Sequence, residues 1–383
     1  MIDTIVFEES NHIKKIAGLK EGDLRLFVYQ DAQKVNEGNV YLGKITKKIQ
    51  SANGKQAYFV NIGSDREAFI NAEEHGLEDL VAHEGQDIII QVLQEKRAEK
   101  GAKVSRFLSF IGVNVIFCPY GSEIEISSKI ADETERERLF QIVSETAEEG
   151  GWIVRTHAAE ASVSEIKEEI NSLQQSFADL ISRAKTLKSP CLLYAKDNVL
   201  DEMMVQEKET LSKVVVNSHI LQEKLQNLVA TEYCAKPFED YGIEEMLQNA
   251  LSKSVKLKCG GRLFIEETKA FVAIDVDSGE GQSQGGFNKL NQEAAEEIAK
   301  QIILRNLSGK IIIDFAGVTD YKFLKNIINM LERGLCEDNT KTNVLGLSRA
   351  GNVEIIRQRR RPSLSDVLTK ECECCQGTGR VEK

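Results

Sequence analysis

Proline is scarce, with 4 in 383 residues, and no serine- or glycine-rich tract interrupts the chain. Both absences argue against a long disordered arm or an extended linker. No stretch approaches the roughly 18 uninterrupted apolar residues of a membrane span. The start, MIDTIVFEESNHIKK, lacks a basic segment followed by an apolar one, so no secretory signal is expected and the chain reads as soluble and cytoplasmic. A surplus of positive charge is also missing. Lys and Arg number 49 against 60 Asp and Glu, a net charge of -11. An acidic surface repels phosphates, which speaks against a general polyanion binder but not against an enzyme whose cations line one channel. A disulfide framework is lacking too. Five of the 8 cysteines are scattered beside apolar neighbours, and Cys372, Cys374 and Cys375 crowd the tail.

What is present suits a chain of two to four packed subdomains, with 42% apolar and 28% charged residues. Residues 1–36 alternate in short pieces and read as a hairpin. Residues 37–117 carry five short strands with glycine punctuation, the pattern of a small barrel of OB type. Helices are expected over 132–148 and 162–187. The second has Ser162-x-x-Glu165 as a capping box and Ile166, Ile170, Leu173, Phe177 and Leu180 on one face. A third helix is expected over 242–252. From 259 the order strand, strand, helix 290–304, the apolar strand KIIIDFAG, helix 320–334 and strand describes an α/β unit with acidic groups at its strand ends. Local basicity is confined to Lys44–Lys48, Lys96–Arg106 and Arg357–Arg361, each of which taken alone is most simply a solvated face.

Chemistry in open α/β sheets usually lies at the strand ends. Asp275 and Asp277 are spaced i, i+2 in AIDVDSG and share one face of a strand, and Asp314 ends the strand Ile311–Ile313. Carboxylates there are costly unless paired or bound to a cation. Three converging ones suit Mg²⁺, which prefers hard oxygen ligands and keeps waters for attack on a phosphodiester. The alternative is that these aspartates cap turns or helices.

Four segments in one order, IEETKAFVAIDVDSG, NQEAAEEIAKQIILRNLSGKIIIDFAG, SRAGNVEIIRQRRRPSL and CECCQGTG, resemble the catalytic region of the ribonuclease E/G family. The resemblance covers nearly the whole chain. It implies that Asp275 and Asp314 bind catalytic Mg²⁺, with Asp277 standing where the family commonly has asparagine. It places Arg349, Arg357 and Arg359 near the RNA, where a planar guanidinium can grip two phosphate oxygens. Asn291 and Glu293 fall on a family-like pattern and are expected to act in packing or in support of the site. Phe59 and Phe69, which alone would pass for core residues, are implied to stack bases of single-stranded RNA, with Lys100 facing the same strand and Lys96 and Arg97 adding to the field. Arg155–Thr156 in GGWIVRTHAAE is similar to the family's clamp for a 5′-monophosphate. The glycines that approach the phosphate in the family have no counterpart in SEIEISSKI, Ser122–Ile130. Cys372 and Cys375 resemble half of a zinc site that two chains share, Zn²⁺ making a homodimer. Cys374 departs from the usual pattern.

The fold implied is a multidomain α+β / α/β chain. A ribonuclease H-like subdomain (1–36 and 200–258) holds an inserted S1-type OB barrel (37–117) and a 5′-sensor region (118–199). A DNase I-like catalytic subdomain (259–371) and a zinc-link (372–383) follow. The activity implied is Mg²⁺-dependent endonucleolytic cleavage of single-stranded, AU-rich RNA in rRNA and tRNA processing and mRNA decay, favouring 5′-monophosphorylated ends. Because the chain ends soon after Cys375, no scaffold tail for other proteins is expected. Two other readings use the same residues: a non-catalytic RNA-binding protein of this fold, and a metal-dependent nucleotide phosphatase.

Overall fold

The computed structural model describes residues 2–50, 56–72, 82–96, 100–279, 286–317, 321–336, 338, 340–370, 372–375 and 379. The chain forms two compact units, residues 31–208 and residues 1–30 with 209–383. Its class is mixed α and β, with a closed five-stranded barrel and several sheets. No helix among the described residues is long and apolar enough to cross a membrane.

In the 31–208 unit the barrel runs Val40–Gln50, Gln56–Asn61, Ala68–Asn71, Lys103–Ser105, Asp87–Gln94, and closes because Val40–Gln50 also pairs with Asp87–Gln94. Alternation fills its interior with Ile45, Tyr58, Val60, Ile70, Ile90, Val92 and Val104. The segment from Val104 to Phe117, which looks like one strand-rich stretch in the sequence, divides. Lys103–Ser105 stays in the barrel, whereas Phe110–Ile111 and Val115–Cys118 enter a separate four-stranded sheet, because Leu108, Phe110 and Phe117 bury in that sheet's core. Helices Glu133–Thr146 and Val163–Thr186 pack on this core. The longer one begins at the anticipated capping box and buries Ile166, Ile170 and Leu180, with Leu173 and Phe177 partly buried beside them.

The other unit holds two sheets. The expected hairpin of residues 1–36 is instead a three-stranded meander, Thr4–Ser10, Ile13–Lys20 and Asp23–Asp31, extended by Lys213–Val216 and Thr231–Tyr233. Glu21 and Gly22, both with positive φ, make the second turn that a hairpin reading misses.

The second sheet is ordered Ser254–Lys256, Arg262–Glu267, Val272–Asp277, Gly309–Asp314, Val353–Arg357, Thr342–Leu347. Val272–Asp277 and Gly309–Asp314 are parallel, joined through helix Gly286–Leu304, while their outer neighbours are antiparallel. Val272, Ile274, Val276, Ile311, Ile313, Val353 and Ile355 face that helix and Tyr321–Leu335, contributing to a core with Leu290, Ala294, Ile298, Ile302, Ile327 and Leu331. Alternate residues on these strands occupy the opposite face, where Asp275 and Asp314 are exposed.

Candidate active site and nucleic-acid interface

A parallel pair joined by a crossover brings both strand ends to one edge of the sheet. Here it places Asp275 directly alongside Asp314 in register. Neighbouring like charges on one face are unfavourable. Burial pushes the Asp275 carboxyl above its ordinary range, and the charges of Asp314 and then Asp277 push it the same way. Asp277 lies on the same face but does not complete a cluster of three. Its Oδ1 accepts the backbone N–H of Gly279 at 3.2 Å, which is the turn-capping alternative realised. No group of three or more His, Cys, Asp or Glu able to hold a metal occurs among the described residues. The donor set that fits a hard divalent cation is therefore the pair Asp275 and Asp314, water supplying further ligands.

Helix Gly286–Leu304 secures the surroundings. The fully buried Asn291 donates from Nδ2 to the carbonyl of Ala316 at 2.8 Å, fixing the turn after Asp314. Glu293 accepts the backbone N–H of Lys258 and that of Cys259, the latter at 3.1 Å to Oε2, and so fixes the turn before Arg262–Glu267.

The arginines that stand close together in the sequence are separated by strand register. Arg349 is exposed in the turn between Thr342–Leu347 and Val353–Arg357, and Val353 pairs with Ile313, so this turn adjoins the Asp314 end of the sheet. Arg357 pairs with Gly309 at the opposite end. It is 3% exposed and bonds Asp338 (2.5 Å to Oδ2), Asn306 Oδ1 (2.8 Å) and the Leu307 carbonyl (2.9 Å). This corrects the expectation that Arg357 faces RNA, since its guanidinium is occupied within the protein. Arg359 is half-buried over Gly309, where a Cβ would fall 2.3 Å from Nη2.

On the barrel, Phe59 and Phe69 are cross-strand partners, half-buried, with ring centroids 5.9 Å apart at 66°. Their neighbours Tyr58, Val60, Ala68 and Ile70 point into the core, so both rings lie on the outer face. Register continues the row to Lys47 beside Phe59 and Lys103 beside Phe69. Sequence reasoning did not single out these two lysines. Their signal was that each lies in a recognised basic run, and Lys103 also sits between the buried Ala102 and Val104. Lys100 is exposed nearby in the chain, Lys96 binds Asp65 at 2.5 Å, and Arg97 lies outside the described residues.

In the four-stranded sheet, Ile124–Ile126 and Gly151–Val154 run parallel and deliver Ser127 and Arg155–Thr156 to one edge. The Thr156 and Ser127 hydroxyls are 3.2 Å apart. Arg155 donates from Nη1 to the Gly112 carbonyl at 2.5 Å and from its backbone N–H to the Asn114 carbonyl at 2.8 Å. Glu169, which sequence reasoning passed over, accepts from the Asn114 backbone N–H (3.0 Å) and from its Nδ2 (2.8 Å), both at Oε2, and fixes the turn that carries Arg155. Burial raises the Glu169 carboxyl, opposed by these hydrogen bonds and by Arg155.

In the tail, the backbone N–H groups of Cys375 and then Cys374 point at the Cys372 sulfur and lower its pKa, as does the Cys375 side chain. Such amide donation suits a thiolate metal ligand. Cys374 is exposed, and Gly377 and Thr378 lie outside the described residues.

A sequence model of the Ribonuclease E/G family matches residues 109–360, well over half of the chain. The chain belongs to the ribonuclease E/G family. It is accordingly an endoribonuclease of RNA processing, and RNA is its substrate. Ribonuclease G of Haemophilus influenzae (strain Rd) is 31% identical over 410 residues, covering 96% of this chain and 82% of the relative. Ribonuclease G of Escherichia coli K12 is 29% identical, with the same coverage of 96% and 82%. Ribonuclease E of Escherichia coli K12 is 28% identical over 90% of this chain, which spans 35% of that longer protein. Within the ribonuclease E/G match lie Arg155, Thr156, Asp275, Asp277, Asp314, Arg349, Arg357 and Arg359. Phe59, Phe69, Lys100, Cys372 and Cys375 lie outside it.

Proposed function

We propose that this ribonuclease E/G family member hydrolyses phosphodiester bonds in single-stranded, AU-rich RNA with Mg²⁺ held at Asp275 and Asp314. The observation that carries this reading is the direct register of those two carboxylates on adjacent parallel strands. Bound there, Mg²⁺ would supply Lewis acidity toward the scissile phosphate and its attacking water. Asp275 and Asp314 would hold the cation facing the phosphate and accept hydrogen bonds from the attacking water, while Asp277 holds its turn through Gly279 and adds negative charge beside them. Arg349 meets a non-bridging phosphate oxygen. Attack by water rather than by the ribose 2′-hydroxyl breaks the bond to the 3′-oxygen, which takes up a proton, leaving a 3′-hydroxyl and a 5′-phosphate.

Phe59 and Phe69 stack successive bases, with Lys100 and the flanking Lys47 and Lys103 taking phosphates, an arrangement that requires unpaired RNA. Arg155 and Thr156 receive the 5′-monophosphate of the substrate, favouring RNAs already cleaved once. Arg359 remains a peripheral phosphate contact. Cys372 and Cys375 form half of a Zn²⁺ site that a second chain completes, giving a homodimer. In this reading the barrel, through Ser105, is an S1-type OB domain, and the four-stranded sheet that takes Phe110–Ile111 and Val115–Cys118, with its helices, is the 5′-sensor region. Residues 1–36 with 200–258 are the ribonuclease H-like part, 259–371 the DNase I-like catalytic part and 372–383 the zinc-link. The grouping of residues 31–208 as one compact unit supports setting the OB and 5′-sensor parts apart from the remainder. The natural work is maturation of rRNA and tRNA and decay of mRNA.

The test is cleavage of a short 5′-monophosphorylated AU-rich RNA with Mg²⁺ by the wild type and Asp314→Ala. Internal cuts that vanish in the variant support the proposal, whereas cuts that persist in Asp314→Ala refute it.

A further inference from the structure

The strand beside the carboxylate pair carries an exposed aromatic residue with no role in the cleavage just described. The strand Arg262–Glu267 alternates strictly as far as Glu266. Leu263 and Ile265 are buried in the core under the sheet, while Arg262, Phe264 and Glu266 face the other way. Charged residues are ordinary on an open sheet face, but a phenylalanine is not, and Phe264 is 37% exposed. Register makes its position specific. Phe264 pairs with Asp275, and Asp275 pairs with Asp314, so ring and both carboxylates form one row across three strands. One step along, Arg262 pairs with Asp277. Directly opposed side chains in an antiparallel pair have Cβ atoms about 4.5–5.5 Å apart. A phosphate drawn to a divalent cation at the two carboxylates would therefore bring the base of an adjoining nucleotide within reach of the ring, and Arg262 supplies a positive charge next to the carboxylate-rich row.

We propose that the outer face of Arg262–Glu267 is a nucleotide subsite, in which Phe264 stacks the nucleobase flanking the scissile phosphate and Arg262 takes a phosphate of the same strand. The inference rests on the nuclease reading of Asp275 and Asp314. It adds a base contact at the reacting centre, separate from the aromatic pair of the barrel. Aromatic faces stack any base, so the subsite selects for an unpaired nucleotide rather than for a particular sequence. Arg262 also sets a positive charge opposite Asp277, the position where the family commonly carries a neutral asparagine.

The experiment uses the full chain with Mg²⁺ and a single-stranded RNA with one mapped cut. Two further substrates carry an abasic nucleotide immediately 5′ or 3′ of that cut. Wild type should cleave one abasic substrate about five- to a hundredfold more slowly than the intact RNA. Phe264→Ala should slow the intact RNA by a similar factor and lose sensitivity to the abasic nucleotide, and Phe264→Trp should restore both. Arg262→Gln should slow all three substrates alike. The proposal fails if Phe264→Ala cleaves intact RNA at the wild-type rate, or retains full sensitivity to the abasic nucleotide. A change of oligomeric state in Phe264→Ala with unaltered base dependence also overturns it and assigns the face to a second copy of the chain. Asp314→Ala run in parallel separates the two ideas. If it still cuts, the nuclease reading has failed, whereas loss of its cutting beside a neutral Phe264→Ala sinks the subsite alone.

Discussion

Two cross-strand pairs carry the proposed function, and they are built in opposite ways. Phe59 and Phe69 face each other across antiparallel strands of the barrel, ten residues apart in the chain. Asp275 and Asp314 face each other across parallel strands joined through a helix, 39 residues apart. The aromatic pair gains from its own contact, since edge-to-face rings attract. The carboxylate pair loses from its own contact, and repulsion adds to burial in raising the Asp275 carboxyl. A surface that stabilises itself can bind weakly and tolerantly. A surface that is unfavourable until a cation arrives is poised for one charged ligand. In the proposed function this difference separates holding the strand from cutting it.

The largest expected effect breaks the carboxylate pair. Asp314→Ala should lower cleavage by at least about a thousandfold, as expected when several kcal/mol of charge stabilisation is removed. Single-turnover cleavage of labelled RNA measures this, and a loss of less than tenfold would contradict the assignment. Next comes the arginine that the structure withdraws from the RNA surface. Arg357→Ala leaves the buried Asp338 carboxylate uncompensated and should cost about 3–5 kcal/mol of stability. Urea denaturation reads that loss, and an unchanged midpoint with weakened RNA binding would return Arg357 to the substrate side.

A smaller effect sharpens the aromatic side of the comparison. Phe59→Ala should weaken binding of long single-stranded RNA by about 1–3 kcal/mol while leaving cleavage of a dinucleotide unaffected. Equal losses on both substrates would show that the ring does not act through strand binding. The smallest effect is titrational. The folded-state pKa of Asp275 is raised, so its contribution to stability is complete below the unfolded-state pKa and is lost as pH rises through the folded one. The metal-free protein should therefore be stabilised by this group on acidification. Asp314→Asn should bring the Asp275 pKa down further than Asp277→Asn does, following the order of their charges as causes. Carboxyl NMR titration of the metal-free variants tests this order, and the reverse order would place Asp277 closer to the reacting pair.

Much of this architecture could be read in advance where the signal is local. The capping box at Ser162 and the apolar face of the following helix needed only spacing, and the helix begins there. The alternation around Phe59 and Phe69 marked strands, and the run AIDVDSG marked a strand with carboxylates on one face. What spacing could not supply was pairing between strands. The segment 357–361 presents its arginines as one basic patch, yet Arg357 is a buried ion-pair partner at the far end of the sheet from Arg349. Lys47 and Lys103 look like members of two unrelated basic runs until register sets them at either side of the aromatic pair. Glu169 carries no motif at all, and only its hydrogen bonds to Asn114 connect it with Arg155.

The sequence by itself determined membership of the ribonuclease E/G family and the chemical kinds of the candidate site groups. Carboxylates, arginines and thiols keep their chemistry wherever they are placed, and their order along the chain is already distinctive. Tertiary structure decided which of them stand together. It joined Asp275 to Asp314, turned Asp277 toward Gly279, removed Arg357 from the surface and set Phe264 beside the carboxylates. The physical reason is that side-chain direction follows from a strand's own alternation, whereas a side chain's neighbours follow from hydrogen-bond register between strands, which is set by the packing of the whole sheet against its helices.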